Sequence, residues 1–175
     1  MIKTACVLAA LQSISHDPSA DPVTAEAVAI ASQTPRKVAL SLTTAKFESS
    51  LLSRIQAGDC RTYASHGRRF FECDGYKDRW GAVHFRAHSY WQIQPIPIVP
   101  EWSEIVGLDY DSVLKAARAA DRILARGLKA CHTDQGAISY FAVGHCGWTG
   151  AYRRAIFARK VYSELVACEG KQSNE

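Results

Sequence analysis

Between Pro35 and Gln56 apolar residues return at steps of three, four or seven, at Val38, Leu42, Ala45, Leu52 and Ile55. A helix, with 3.6 residues per turn, is the element that gathers such positions on one face. Leu40, Phe47 and Leu51 add a second apolar stripe, so this helix is expected to be central and buried on most sides. Thr34 can cap it, and Gly58 can end it. Residues 22–33 read as a short Ala-rich helix after the turn His16–Pro22, with Pro22 at its first position. The clearest amphipathic helix spans 110–129, through Tyr110, Val113, Leu114, Ala117, Ala120 and Leu124. Two more are expected near 135–143 and 148–167, and a short one from about Ser89 to the prolines Pro95, Pro97 and Pro100. The apolar run Ala5–Leu11 is far too short to span a membrane. No small-residue cleavage site follows it, so it reads as a buried first helix rather than a signal segment. The fold class is therefore mainly α, in a single domain over 1–175, and no membrane span is expected.

The stretch 59–88 departs from this pattern. It is polar and aromatic, carries Gly67, Gly75 and Gly81, and reads as a small irregular insertion with room for a short hairpin. It also holds two of the six cysteines. Cys60 with Cys73, and Cys131 with Cys146, would each close a local loop. A crosslink across about fifteen residues is worth roughly 3 kcal/mol by chain entropy. Six cysteines allow many pairings and sequence does not choose among them. The local pairs are the expectation, and they would place the chain outside a reducing cytosol. Cys6 and Cys168 are left open as bridged or free. Zinc is the lesser reading: His132 and His145 adjoin Cys131 and Cys146, and His84 and His88 have finger-like spacing, but no close cysteine pair precedes them. No metal or other cofactor is expected.

Hydrophobic residues form 47% of the chain, enough for a packed core and too many for a disordered segment. The net charge of +4 is mildly basic and suits an anionic polymer without selecting one. Arg118, Arg122 and Arg126 recur every four residues on the helix 110–129, either as a solvated face or as a contact for an anionic ligand. A helical nucleic-acid binder would use such a stripe. The modest charge makes nucleic acid a weak candidate, and the oligomeric state is left open.

Glu48 is the residue most suggestive of chemistry. On a continuous helix it shares a face with Ala45, Leu52 and Ile55. A carboxyl on an apolar face is desolvated, which raises its pKa toward what a general acid needs. The competing account is a half-buried glutamate paired with an arginine, Arg54 or Arg86.

Three short segments in order break the tie: Glu48-Ser49, then Ser89-Tyr90-Trp91-Gln92-Ile93-Gln94-Pro95, then Ser139-Tyr140-Phe141-Ala142-Val143-Gly144. Together they resemble the lysozyme-like soluble lytic transglycosylase family, also called goose-type-lysozyme-like. Its motifs are Glu-Ser, Gly-Leu-Met-Gln-Ile-x-Pro and Ala-Tyr-Asn-x-Gly. The resemblance covers roughly residues 38–165. It implies a lysozyme-like helical domain, with N-terminal helices over 1–34 and a catalytic core over 35–167. It also implies a function: cleavage of the β-1,4 bond from N-acetylmuramic acid to N-acetylglucosamine in bacterial peptidoglycan. By the same resemblance Glu48 is the catalytic acid/base, while Gln92, Tyr140 and Ser49 line or support the saccharide site. The chain departs from the family at Ser89-Tyr90-Trp91 and at Phe141, and its third motif is one residue longer. The stretch from Glu48 to Gln92 is also longer than the family norm.

Each supporting residue has a plainer reading as well. Ser89 and Gln92 have capping-box spacing, and Tyr140 suits an ordinary core. Trp91, Trp102 and Trp148 can stack on sugars or simply fill the interior. A lytic transglycosylase closes a 1,6-anhydro ring with the substrate's own C6 hydroxyl, whereas a lysozyme uses a second carboxylate. Asp59, Glu72, Asp74 and Asp78 are candidates for that second group. The rival functions are a chitinase-like hydrolase and a catalytically inactive wall-binding or virion structural protein of the same fold. A nucleophile elbow and a P-loop are both absent from the sequence. The expected setting is extracytoplasmic, secreted or periplasmic, or a phage virion or lysin.

Overall fold

In the computed structural model the chain begins with α1 (Thr4–Ile14), which buries Cys6, Val7, Ala10, Leu11 and Ile14. Those steps of three and four turn one face inward, as expected for a buried first helix. Described throughout are residues 1–15, 17, 21–65, 68–71, 73, 75–77, 79–80, 82–85 and 87–171. Most of the turn expected over His16–Pro22 lies outside them, as do Gly67 and Gly81. The Ala-rich α2 (Asp21–Ser32) follows, beginning one residue before Pro22.

Thr34 caps α3 (Pro35–Ser49), its hydroxyl oxygen accepting from the Lys37 amide at 3.4 Å, with Pro35 in the first turn. The helix stops at Ser49, seven residues short of the expected end at Gln56. Ser50 and Leu51 have φ of 56° and 58°, in the left-handed region. The cause is local: Ser49 Oγ donates to the Ala45 carbonyl at 3.0 Å and accepts from the Leu51 amide at 3.2 Å. That bond offers the Leu51 amide an alternative to the helical ladder. The chain resumes as one turn, α4 (Ser53–Gln56), and Gly58 ends it with φ of 85°. Leu52 and Ile55 therefore do not extend the Glu48 face of α3.

The insertion contains two antiparallel hairpins, one more than its sequence suggests. β1 (Thr62–Ser65) pairs with β2 (Arg68–Phe71), Thr62 opposite Phe71. β3 (Gly75–Lys77) pairs with β4 (Val83–Phe85), Gly75 opposite Phe85. The helix expected from Ser89 does not form. His88 and Ile93 instead exchange backbone hydrogen bonds of 3.1 and 2.8 Å across a tight turn, with Ser89 and Gln92 at φ of 69° and 50°. Tertiary contacts hold this turn. Trp91 is fully buried, and its indole donates to the Ser41 carbonyl of α3 at 2.9 Å. Gln56, also fully buried, accepts from the Tyr90 amide at 3.0 Å and donates to the carbonyls of Ile105 and Gly107 at 2.8 and 2.9 Å. Gln56→Ala would strand two buried backbone groups, the Tyr90 amide and the Ile105 carbonyl, and the part-buried Gly107 carbonyl, at about 1–3 kcal/mol for each buried group before water enters. A fall of at least about 2 kcal/mol in urea unfolding stability is expected.

After a 3-10 turn at Trp102–Glu104, Asp109 caps α5 (Tyr110–Cys131) by accepting from the Ser112 amide at 3.0 Å. Thr133 caps α6 (Asp134–Val143) by accepting from the Gly136 amide at 3.0 Å. α7 (Ala151–Lys171) closes the bundle, starting later and running further than 148–167. The protein is thus mainly helical. Its main core draws on α1, α2, α3, α5 and α7, and the small residues Ala116, Ala117, Ala119 and Ala120 of α5 let α2 approach closely. A second cluster joins Leu40, Leu124, Ile138, Ala151, Ala155 and Ala158.

Three disulfides fasten the chain. Cys60–Cys73 and Cys131–Cys146 are the two local pairs that the spacing suggests, and Cys6–Cys168 ties α1 to α7. With Cys131 and Cys146 joined to each other, neither is a thiolate ligand for zinc beside His132 or His145. Among the described residues no helix is long and apolar enough to cross a membrane.

Candidate active site

Glu48 occupies the penultimate position of α3, and its side chain is 22% exposed. It borders a groove of about 680 Å³ that Gln92 and Tyr140 also line. Residues from α3, the His88–Ile93 turn and α6 are thereby brought to one concave surface. The groove's apolar wall comes largely from Ile93, Ile96, Pro97 and Ile98 on one side and Phe141 and Val143 on another.

Each side chain reaches this place for a local reason. The Trp91–Ser41 hydrogen bond fixes the Gln92 turn against α3. Gln92 does not complete a capping box. Its amide nitrogen donates to the Ser89 carbonyl and to Cys73 Sγ, both at 3.3 Å, which joins the turn to the insertion. Tyr140 lies near α5 because residue 127 is glycine. A β-carbon there would come within 3.0 Å of the Ala137 backbone and 3.1 Å of the Tyr140 β-carbon. Ser49 is 4% exposed and does not line the groove. Its hydroxyl is committed to ending α3, so it shapes the site without facing it.

Of the three tryptophans that could either stack on sugars or fill the interior, none lines the groove. Trp91 is interior. Trp102 donates to the Ile93 carbonyl at 2.9 Å and rests 4.7 Å from the His88 ring. Burial pushes the His88 pKa below its usual value, and its Nδ1 has no partner among the described residues. Trp148 lies beneath Arg154, whose guanidinium is 4.8 Å from the indole centroid and 5.2 Å from that of Phe47.

Arg154 is the partner of Glu48. The two form an ion pair in which the arginine side chain is 16% exposed. Glu48 thus borders a groove and is also half-buried beside an arginine, as the competing account expects. The cation is neither of those expected. Arg54 donates to the Asp59 carbonyl at 3.3 Å, and Arg86 lies outside the described residues. Nothing local in the sequence marks Arg154, which stands 106 residues away on α7.

Asp59 pairs with Arg61 at 3.0 Å, and both are well exposed away from the groove. Glu72, Asp74 and Asp78 lie outside the described residues. Among the described groove residues Glu48 is the carboxylate and Arg126 the guanidinium. The arginine stripe of α5 therefore divides: Arg118 is exposed, Arg122 pairs with Glu101, and Arg126 reaches the groove. The Arg122 contact helps hold the Glu101 carboxyl below its ordinary pKa, against the opposing effect of burial.

Compared with protein-family models, with curated proteins and with solved structures, the chain finds no match in any of the three.

Proposed function

We propose that this groove holds a glycan strand of bacterial peptidoglycan and that Glu48 cleaves its β-1,4 MurNAc–GlcNAc bond, as in a lysozyme-like lytic transglycosylase or lysozyme. The observation that carries the proposal is the meeting of Glu48, Gln92 and Tyr140, three residues far apart in the chain, along one groove. Its size suits several linked sugars, and its mixed apolar and polar wall suits their faces and hydroxyls.

Glu48 in its acid form protonates the leaving oxygen as oxocarbenium charge develops on the muramyl carbon. The carboxylate left behind then takes a proton. It comes from the muramyl C6 hydroxyl, closing a 1,6-anhydro ring, or from water, giving hydrolysis. The first step is common to both. The carboxyl is engaged by Arg154, so proton delivery to the strand has the Glu48–Arg154 pair open when the strand enters. Tyr140 and Gln92 supply polar groups on the facing wall. Three disulfides suit an oxidising setting, secreted or periplasmic, or a phage particle.

The Glu48–Arg154 pair also favours a second reading, a wall-binding or virion structural protein that keeps the groove but no longer cleaves. Incubation with purified peptidoglycan and with chitin oligomers separates these readings. Soluble muropeptides released from peptidoglycan are the expected result. Retention on the wall without release would favour the inactive binder, and release from chitin alone would identify a chitinase-like enzyme.

A further inference from the structure

Arg126 is the one cationic side chain among the described groove-lining residues, and the cleavage reaction leaves it unused. It is exposed on α5, directly after the turn that contributes Ile123 to the same wall. Several other cations are committed to the protein's own carboxylates, Lys37 to Asp121 at 3.1 Å, Lys115 to Glu104 at 2.7 Å, Arg122 to Glu101 and Arg154 to Glu48, while Arg118 and Lys129 of α5 are unpaired among the described residues but do not line the groove. Arg126 makes no ion pair or hydrogen bond with the described residues. It stands in a concavity whose surroundings include Ile98, Phe141 and Val143. Low-dielectric walls around a lone cation focus its field into the groove. A guanidinium in that position matches a planar carboxylate through two parallel hydrogen bonds.

We propose that Arg126 selects for a carboxylate-bearing glycan by binding the acidic substituent of a muramyl residue in the groove. This rests on the peptidoglycan reading above and adds what discriminates that polymer. A chitin strand has the same backbone and linkage but no carboxylate. In peptidoglycan every second sugar carries a lactyl ether that ends in a carboxyl group or in a peptide with its own acidic groups. Glu48 and the apolar wall treat both polymers alike, whereas Arg126 does not.

Binding of two disaccharides, followed by NMR titration of the wild-type protein and of Arg126→Gln and Arg126→Lys, tests this. GlcNAc-β-1,4-MurNAc carries the carboxylate but lacks the MurNAc–GlcNAc bond, so it survives incubation. Chitobiose is its neutral counterpart. Wild type is expected to favour the acidic disaccharide by about tenfold at low salt, with the preference shrinking as salt rises. Arg126→Gln is expected to bind both alike, Arg126→Lys to keep part of the preference, and all three to share one melting temperature. Equal binding of both sugars by wild type, binding of neither, or an undiminished preference in Arg126→Gln would overturn the proposal. No cleavage of peptidoglycan by the wild-type protein, with its preference for the acidic disaccharide intact, would instead count against the catalytic role of Glu48 and leave this assignment standing.

Discussion

Replacing Glu48 by glutamine is expected to lower the rate of peptidoglycan lysis by roughly a hundredfold to ten-thousandfold, the usual share of a general acid. The amide is nearly the same size as the carboxyl but has no proton to give at neutral pH. The fold should tolerate the change. Glu48 lies at the end of α3, half-buried, and an amide oxygen in its place can still accept from Arg154. The lost charge attraction is worth about 1 kcal/mol at a partly exposed pair. Clearing of a wall suspension and a melting curve, run on the same preparation, separate the two effects. A large loss of clearing beside a nearly unchanged curve is the expected pattern. Activity and melting temperature falling together would point to a structural role for the Glu48–Arg154 pair.

Removing the Cys6–Cys168 disulfide is the change expected to cost most in stability. Its half-cystines stand 162 residues apart, so the bond closes almost the whole chain into a loop. Chain entropy puts such a crosslink at about 5 kcal/mol, against roughly 3 kcal/mol for the 15-residue separation of Cys131 and Cys146. Measured losses for native disulfides run about 2–5 kcal/mol, because unfolded chains keep some compactness. Cys6→Ser with Cys168→Ser should therefore lower the urea midpoint more than Cys131→Ser with Cys146→Ser does. Both half-cystines lie where α1 meets α7, so fraying should begin with α1. Equal losses from the two pairs would show that local strain or packing, not loop closure, sets their worth.

The sequence was most legible where the signals are local. Thr34-Pro35 marks the start of α3, and the apolar period of 110–129 places α5 to within two residues of its observed end. Short spacing suggested two of the disulfides. What escaped it depends on contacts between distant segments. Ser89-Tyr90-Trp91-Gln92 has the letters of a helix start, yet the Trp91 indole is bound to α3 and the Tyr90 amide to Gln56. Those bonds favour a tight turn. The end of α3 was hidden for a smaller reason, since the Ser49 hydroxyl competes for one backbone amide while the apolar period runs on past it.

The site divides along the same line. Helical geometry placed Glu48 on an apolar face that extended through Leu52 and Ile55, and the break after Ser49 removes that extension. The motif resemblance, and not any spacing, brought Gln92 and Tyr140 into the account, and both line the Glu48 groove. Ser49 entered by the same route and instead lies beneath the surface. Arg154 was beyond reach because its pairing depends on how α7 packs against α3. Arg126 was visible as a member of a basic stripe, but its separation from Arg118 and Arg122 needed the groove.

Mass spectrometry of the fragments formed from purified peptidoglycan tests the central claim most directly. Glycan fragments ending in a muramyl residue, as a 1,6-anhydro sugar or, one water heavier, as a reducing sugar, are the predicted result, with a yield at least about a hundredfold lower from the Glu48→Gln protein. Glycan strands left intact by the wild-type protein, or the same muramyl-ended fragments from the Glu48→Gln protein at wild-type yield, would contradict it.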